Sequence, residues 1–246
     1  QHPAKGGGKG TFFIKSQKAF NTAKQYLRRQ RADEAVVAKL IKGPSPSIIG
    51  CVTRQGILST RLQYQICDEP LLNTKARRGG LFCGNDWSAS DFPKEVLNQA
   101  KDAVEKIGNQ FKKLKYKGIF GIDFILDKET GKLYVVECNP RLTAALPTLT
   151  LAQNENGEMP IIAFHLLEYL NASYKIDVQK VNDQMWRKKE GSQIFLHNPL
   201  QKRSIQRKEF EAGIYKKKEK NGKISPVSYT HLRAHETVLD LVCRLL

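Results

Sequence analysis

Asp123, Glu137 and Asn139 are the residues whose types and spacing point most directly to chemistry. They lie in GIDFILDKETGKLYVVECNPRL, residues 121–142, which reads as two short apolar strands around a polar turn. Burying unpaired polar groups in such strands is expensive. Alternate residues of a strand share a face. Leu133, Val135, Glu137 and Asn139 should therefore point one way, Tyr134, Val136 and Cys138 the other, and Asp123 should share its face with Ile125. The turn decides whether Asp123 meets Glu137. A loop of Lys128 to Lys132 sets them opposite each other, whereas a loop one residue shorter sets Val136 opposite Asp123 and scatters the cluster. The first register is the expected one. Two carboxylates and an amide carbonyl then converge, a hard-oxygen set suited to Mg²⁺ or Mn²⁺, and a shared ion relieves the repulsion between the carboxylates. The alternative is a strand end at which these residues meet solvent, because Asn-Pro at 139–140 is a turn signal.

A second stretch adds to the first. Lys5, Gly6, Gly7, Gly8, Lys9 and Gly10 open the chain as a glycine-rich loop. It does not fit the G-x-x-x-x-G-K-[ST] phosphate loop. Successive glycines still let backbone N–H groups approach phosphate oxygens, and Lys9 adds charge. The alternative is a flexible hairpin tip. A phosphate-cradling loop followed by an aspartate and then Glu-x-Asn is more specific than either alone. Such loops join two strands, so an earlier strand, and with it the native start, is expected to be missing.

These residues need elements to hold them. Residues 10–15 read as a strand leaving the loop. Residues 16–29 read as a helix, with Ser16 as its cap and Phe20, Ala23 and Leu27 on one face. AVVAKLI, 35–41, reads as a buried strand ended by the turn cluster KGPSPS. SIIGCVT and GILSTRLQYQIC read as a hairpin turning through Arg54, Gln55 and Gly56. Residues 68–90 read as a long polar loop, in which Arg77 and Arg78 could grip a carboxylate. Asp91 is expected to cap a helix with Pro93 in its first turn, its apolar stripe running Val96, Leu97, Ala100, Val104, Ile107, Phe111 and Leu114. Residues 158–170 read as another amphipathic helix. Short strands are expected at 193–197 and 213–216. Gln63 and Gln65 share a strand face and either line the site or face solvent. His165 is expected on the helix surface or in the core, and Cys138 in the core.

The chain has 246 residues, 40% of them hydrophobic, enough for one large domain or two small ones. A net charge of +17 favours anionic partners. The basic residues are scattered and show no aromatic interleaving, so no nucleic-acid partner is expected. Five dispersed cysteines without metal-ligand spacing suit a reducing, cytoplasmic setting. No run is long enough to span a membrane, so no membrane partner is expected. Oligomeric state has no signature here.

The glycine loop followed by GIDFIL…LYVVECNPR resembles the ATP-grasp superfamily, over about residues 1–170. The resemblance implies an α+β fold: an antiparallel sheet core with packed helices and a partial glycine-loop lid subdomain. It implies ATP and Mg²⁺ as cofactors, with Asp123, Glu137 and Asn139 as metal ligands. It makes Lys5 to Gly10 the lid loop, the backbone of Lys39, Leu40 and Ile41 the adenine reader, and Arg141 a contact to phosphate or to the reacting carboxylate. The sequence departs from the family at Ala38 and Ser45, where acidic residues are common. The implied activity is an ADP-forming ligase that activates a small-molecule carboxylate as an acyl phosphate for attack by an amine. A carboxylase or carbamoyl-phosphate type of reaction, or a nucleotide-binding module without catalysis, are the alternatives. The implied division is 1–37 as lid remnant, 38–170 as core and 171–226 as an extension. Residues 227–246 resemble the translation of a transposase adapter used in short-read sequencing libraries. That resemblance implies a non-native tail in which Tyr229, His231, His235 and Cys243 carry no function.

Overall fold

A computed structural model describes residues 1–4, 10–69, 81–195, 214–217, 224–228 and 244–245. Its centre is a mostly apolar strand, β1 (Ser45–Val52). Ile48 and Val52 face one way, and Ile49 and Cys51 the other, each fully buried. A strand apolar on both faces must lie inside a sheet covered on both sides. β1 does so, pairing antiparallel with β5 (Gly118–Leu126) on one side and with β2 (Ile57–Ser59) and β3 (Gln63–Cys67) on the other. One extra residue between Ser59 and Gln63 splits the second hairpin arm in two. The sheet continues through β4 (Phe82–Asp86) and β7 (Ser192–Ile194) at one edge and ends at β6 (Leu133–Asn139) at the other. All its pairings are antiparallel. A separate three-stranded sheet joins β8 (Ile214–Lys217), β9 (Ile224–Ser228) and β10 (Arg244–Leu245).

The 20-residue helix α2 (Lys94–Lys113) covers one face. Its Val96, Ala100 and Val104 pack with Ile48, Ile122 and Phe124. The other face is covered by α3 (Leu146–Glu155), α4 (Ile161–Tyr169) and α5 (Val178–Met185), where Leu149, Ile161 and Phe164 meet Ile49, Cys51 and Ile119. Each strand of this two-sided core thus sends alternate residues to different helices. Burying an aliphatic side chain in such a core contributes about 1.5–3 kcal/mol. Gly118, at φ +92, lets α4 approach closely; a Cβ there would sit 2.4 Å from His165 Nδ1. His165 instead accepts from the Ile119 amide at 3.1 Å, which is a structural role.

Several expectations need correction. Residues 10–15 and 35–41 are not strands. A strand needs a ladder partner, and among the described residues Val36 exchanges backbone hydrogen bonds with Gln1 alone. Val37 is 92% exposed. Asp91 does not cap α2: the cap position is Pro93, without a side-chain bond, and Asp91 pairs with Lys188 on the surface. The stripe on α2 holds through Phe111, but Leu114 is exposed. Strand β4 runs inside the expected loop at 68–90, and residues 70–80, with Arg77 and Arg78, lie outside the described structure. The first helix, α1 (Gln17–Arg29), is where it was expected, and the Ser16 hydroxyl accepts from the Ala19 amide at 3.2 Å.

The β1–β2 turn is fastened to α4 through Glu168. This buried carboxylate accepts from the Arg54 amide and from Arg54 Nε, each at 3.2 Å, and from the Tyr174 hydroxyl. Burial alone would raise its pKa, but the bonds from Tyr174 and Arg54 outweigh that and hold it below the usual 4.5. A depressed carboxylate stabilises the fold above its unfolded pKa and loses that effect as pH falls through the folded value. Glu168→Gln should therefore destabilise the protein by about 1–3 kcal/mol near pH 7. The gap to wild type should narrow as pH drops below 4.5, measured by urea unfolding across a pH series.

Candidate functional site

The site lies on the face of the sheet shared with α3 and α4, at the end that those helices leave open. Asp123, Gly121 and Ile119 alternate with Phe124, Ile122 and Phe120, which point to α2. Across the strands, Glu137 pairs with Asp123, Asp123 with Ser47, and Ser47 with Gln63. This antiparallel pairing makes one row of side chains on one face, each about 4.8 Å from the next.

The Asp123–Glu137 pairing is the expected register, but the strands reach it by another route. At the tip Leu126 pairs with Leu133 and Phe124 with Val135, the register of the shorter loop. A bulge at Val136 then adds one residue and brings Glu137 opposite Asp123. The faces change at the bulge. Leu133 and Cys138 both pack towards α2, so Leu133 does not share the face of Glu137 as the simple alternation predicts. Val136 and Glu137 both line the cavity. Cys138 packs with the core, as expected.

Asp123 is half-buried and tightly held. Gln65 Nε2 donates to its Oδ1 at 2.7 Å, and Asn139 Nδ2 donates to its Oδ2 at 3.1 Å. Arg141 Nη2 donates to Asn139 Oδ1 at 3.0 Å. Gln65 thus belongs to the site, as one of its two sequence readings held. The Asp123 carboxyl is pushed above its usual 3.8 by burial first and by the Glu137 charge second, against the opposing pull of Gln65, Arg141 and Asn139. Glu137 itself is exposed. The two carboxylates suit a hard divalent cation. The expected third oxygen does not converge with them, because Asn139 turns its nitrogen to Asp123 and its oxygen to Arg141, and it would join a cation only with its amide turned over. The group falls short of three His, Cys, Asp or Glu residues, and no such group of three occurs among the described residues.

The cavity is about 410 Å³, and its lining includes Asp123, Glu137, Asn139 and Arg141. Gly121 shapes its far end, since a Cβ there would lie 2.6 Å from Thr143 Cγ2. The 141–145 turn can therefore lie over the sheet. Lys39 and Leu40 are exposed, Ile41 is half-buried, and none of the three lines the cavity. Gly10 has φ +80 and its carbonyl accepts from the His2 amide at 3.0 Å. Lys5, Gly6, Gly7, Gly8 and Lys9 lie outside the described residues. Sequence reasoning missed Ser47, Thr143 and Asn85 as lining residues. Ser47 sits in what reads as a turn cluster, and neither Thr143 nor Asn85 has a local pattern that marks it.

Residues 2–145 match the family described as the ATP-grasp domain. No curated protein matches the chain by sequence. Among solved structures, it is similar to biotin carboxylase from Campylobacter jejuni, with 16% identity and a TM-score of 0.52 over 78% of this chain and 39% of that one. A carboxyaminoimidazole ribonucleotide synthase from Aspergillus clavatus, complexed with ATP, gives 14% identity and a TM-score of 0.51 over 78% and 43%. The biotin carboxylase domain of 2-oxoglutarate carboxylase from Hydrogenobacter thermophilus, complexed with MgADP and bicarbonate, gives 14% and 0.52 over 78% and 39%. At these identities the likeness is one of fold. The chain spans about four-tenths of the length of these proteins. No helix among the described residues is long and apolar enough to cross a membrane.

The interactions at Asp123 have opposite signs and can be separated. Glu137→Gln should lower the Asp123 pKa by removing a neighbouring charge, and Gln65→Leu should raise it by removing a hydrogen bond to the ionised form. Carboxyl ¹³C titration by NMR reads both shifts directly.

Proposed function

The chain belongs to the ATP-grasp family, and on that premise we propose that it is the nucleotide- and metal-binding part of an ADP-forming ligase. The observation that carries the reading is the Asp123–Glu137 pair, with Asn139 and Arg141 hydrogen-bonded beside it at one cavity. In this reading Asp123, Glu137 and Asn139 hold Mg²⁺ or Mn²⁺. The bound ion supplies positive charge to the phosphate oxygens. Gln65 keeps Asp123 oriented. The Lys5 to Gly10 loop offers backbone N–H groups and two lysine charges to the phosphates. The backbone at Lys39, Leu40 and Ile41 reads the adenine. Residues 1–37 are the lid part and 38–170 the core.

A carboxylate is a poor electrophile because attack would expel an oxide-like leaving group. Its oxygen instead takes the γ-phosphoryl group, the bond to the β-phosphate oxygen breaks, and ADP departs. Arg141, one residue beyond the Asn139–Pro140 turn, is placed to neutralise charge on the moving phosphoryl group or to hold the carboxylate. An amine then attacks the acyl carbon and loses a proton, and phosphate leaves. Bicarbonate is the first carboxylate to try, since a structure of similar fold holds it together with MgADP. A nucleotide-binding member without turnover is the second reading. The departures at Ala38 and Ser45, where acidic residues are common in the family, favour it.

Calorimetric titration of ATP into the chain should show binding that needs Mg²⁺ and is weakened about tenfold or more in Glu137→Gln. ADP release that depends on bicarbonate or another added carboxylate supports the ligase. Mg²⁺-dependent binding with no turnover under any carboxylate supports the second reading. Absence of ATP binding by the folded protein overturns both.

A further inference from the structure

We infer that the cavity beside the metal site ends in a pocket for a hydrogen-bond-donating nitrogen, a primary amine, and that Gln63 is the residue that reads it. The inference rests on the ligase reading for its biological sense, though not for its physical basis. Gln63 is fully buried, yet it lines the cavity. Its amide nitrogen is already committed, donating to Ser47 Oγ at 3.2 Å. Its carbonyl oxygen meets no donor. Thr143 Oγ1, in the lining of the same cavity, is also buried without a partner. A buried carbonyl left unpaired is destabilising by about 1–3 kcal/mol. Such a group in a native cavity is paired by an ordered water or by a polar atom of a ligand that displaces it.

Position separates this pocket from the nucleotide. Gln63 stands in the same cross-strand row as Asp123 and Glu137, two strands from Asp123. Residues 42–44 meet the sheet at the tip of the β5–β6 hairpin, where a Cβ on Gly43 would overlap the Leu126 carbonyl. The stretch proposed to read adenine therefore lies towards that tip. Thr143 lies beside Gly121, two residues beyond Asp123 in the opposite direction. A phosphate chain arriving from the tip reaches Asp123 first, and Gln63 and Thr143 remain free for the second substrate.

Charge selects the ligand class. Ser47, Gln63, Asn85, Thr143 and Ala144 surround this end, and all are neutral. Among the described lining residues the single cation is Arg141, whose guanidinium is bonded to Asn139 Oδ1 and the Leu142 carbonyl. An inner carboxylate or phosphate would have no counter-charge there. What Gln63 Oε1 offers is an acceptor, so the ligand must bring an N–H or O–H donor, and an amine is the donor that the ligase reading supplies. A neutral amine donating one N–H to Gln63 keeps its lone pair free for attack, and Gln63 acts by positioning it.

The test needs no ATP, so its failure is distinguishable from failure of the ligase reading. Trifluoroethylamine is a primary amine that is uncharged at about pH 8, and its N,N-dimethyl derivative has no N–H. Ligand-observed ¹⁹F NMR should show the primary amine binding to the chain at least about tenfold more tightly than the tertiary one. Gln63→Leu should weaken the primary amine about tenfold. Gln63→Glu, which keeps an acceptor, should retain its binding. Equal binding of the two amines, no binding of the primary amine, or an unchanged affinity in a folded Gln63→Leu protein would each overturn the inference.

Discussion

Two carboxylates placed opposite each other across an antiparallel strand pair set the terms for this molecule. Like charges in that arrangement oppose folding, and the half-burial of Asp123 adds a desolvation penalty. The surrounding structure offsets both. Gln65 comes from β3, two strands away, to donate to one oxygen of Asp123, and Asn139 donates to the other. Arg141 brings a positive charge and is itself held by Asn139. None of this removes the repulsion from Glu137. On the proposed function a cation shared between the two carboxylates would relieve it, and the surrounding bonds hold Asp123 in place without one.

Rigidity comes from the core beneath. The apolar residues of β1 and β5 alternate between α2 on one face and α3, α4 and α5 on the other, so neither strand can slip by one residue without turning its core side chains to the wrong helix. The bulge at Val136 is a local departure in the β5–β6 pair, and it sits where the edge strand passes from packing to the cavity. On the tip side of the bulge Leu133 packs towards α2; beyond it Glu137 and Asn139 face the cavity.

Much of this was legible in the sequence, for identifiable reasons. Helices α1 and α2 follow amphipathic stripes; α4 lies where it was expected but is apolar on more than one side, with Leu166 and Tyr169 exposed. Asp123 meets Glu137 as expected, although the turn has the shorter register and the bulge restores the pair. The bulge could not be read, because a one-residue insertion leaves composition and pattern unchanged. Helix α3 was missed because it is buried on several sides and so has no stripe, and because Pro147 in its first turn looks like a loop signal. Residues 35–41 show the opposite failure. Val36, Val37, Leu40 and Ile41 have strand composition, but a strand is a property of a pair, and the described chain offers them only Gln1. The polar lining was hidden for a similar reason. Ser47, Gln63 and Asp123 are distant in sequence and meet only through the strand order.

Thermal unfolding of the wild-type chain and Glu137→Gln, with and without millimolar Mg²⁺ and no nucleotide, tests the central claim most directly. If the carboxylate pair is held for a shared cation, Glu137→Gln should melt at a higher temperature than wild type in metal-free buffer, since it relieves the repulsion on Asp123. Mg²⁺ should then raise the wild-type melting temperature and leave that of the variant almost unchanged. A variant less stable than wild type without metal, or an equal Mg²⁺ response in both, would contradict the account.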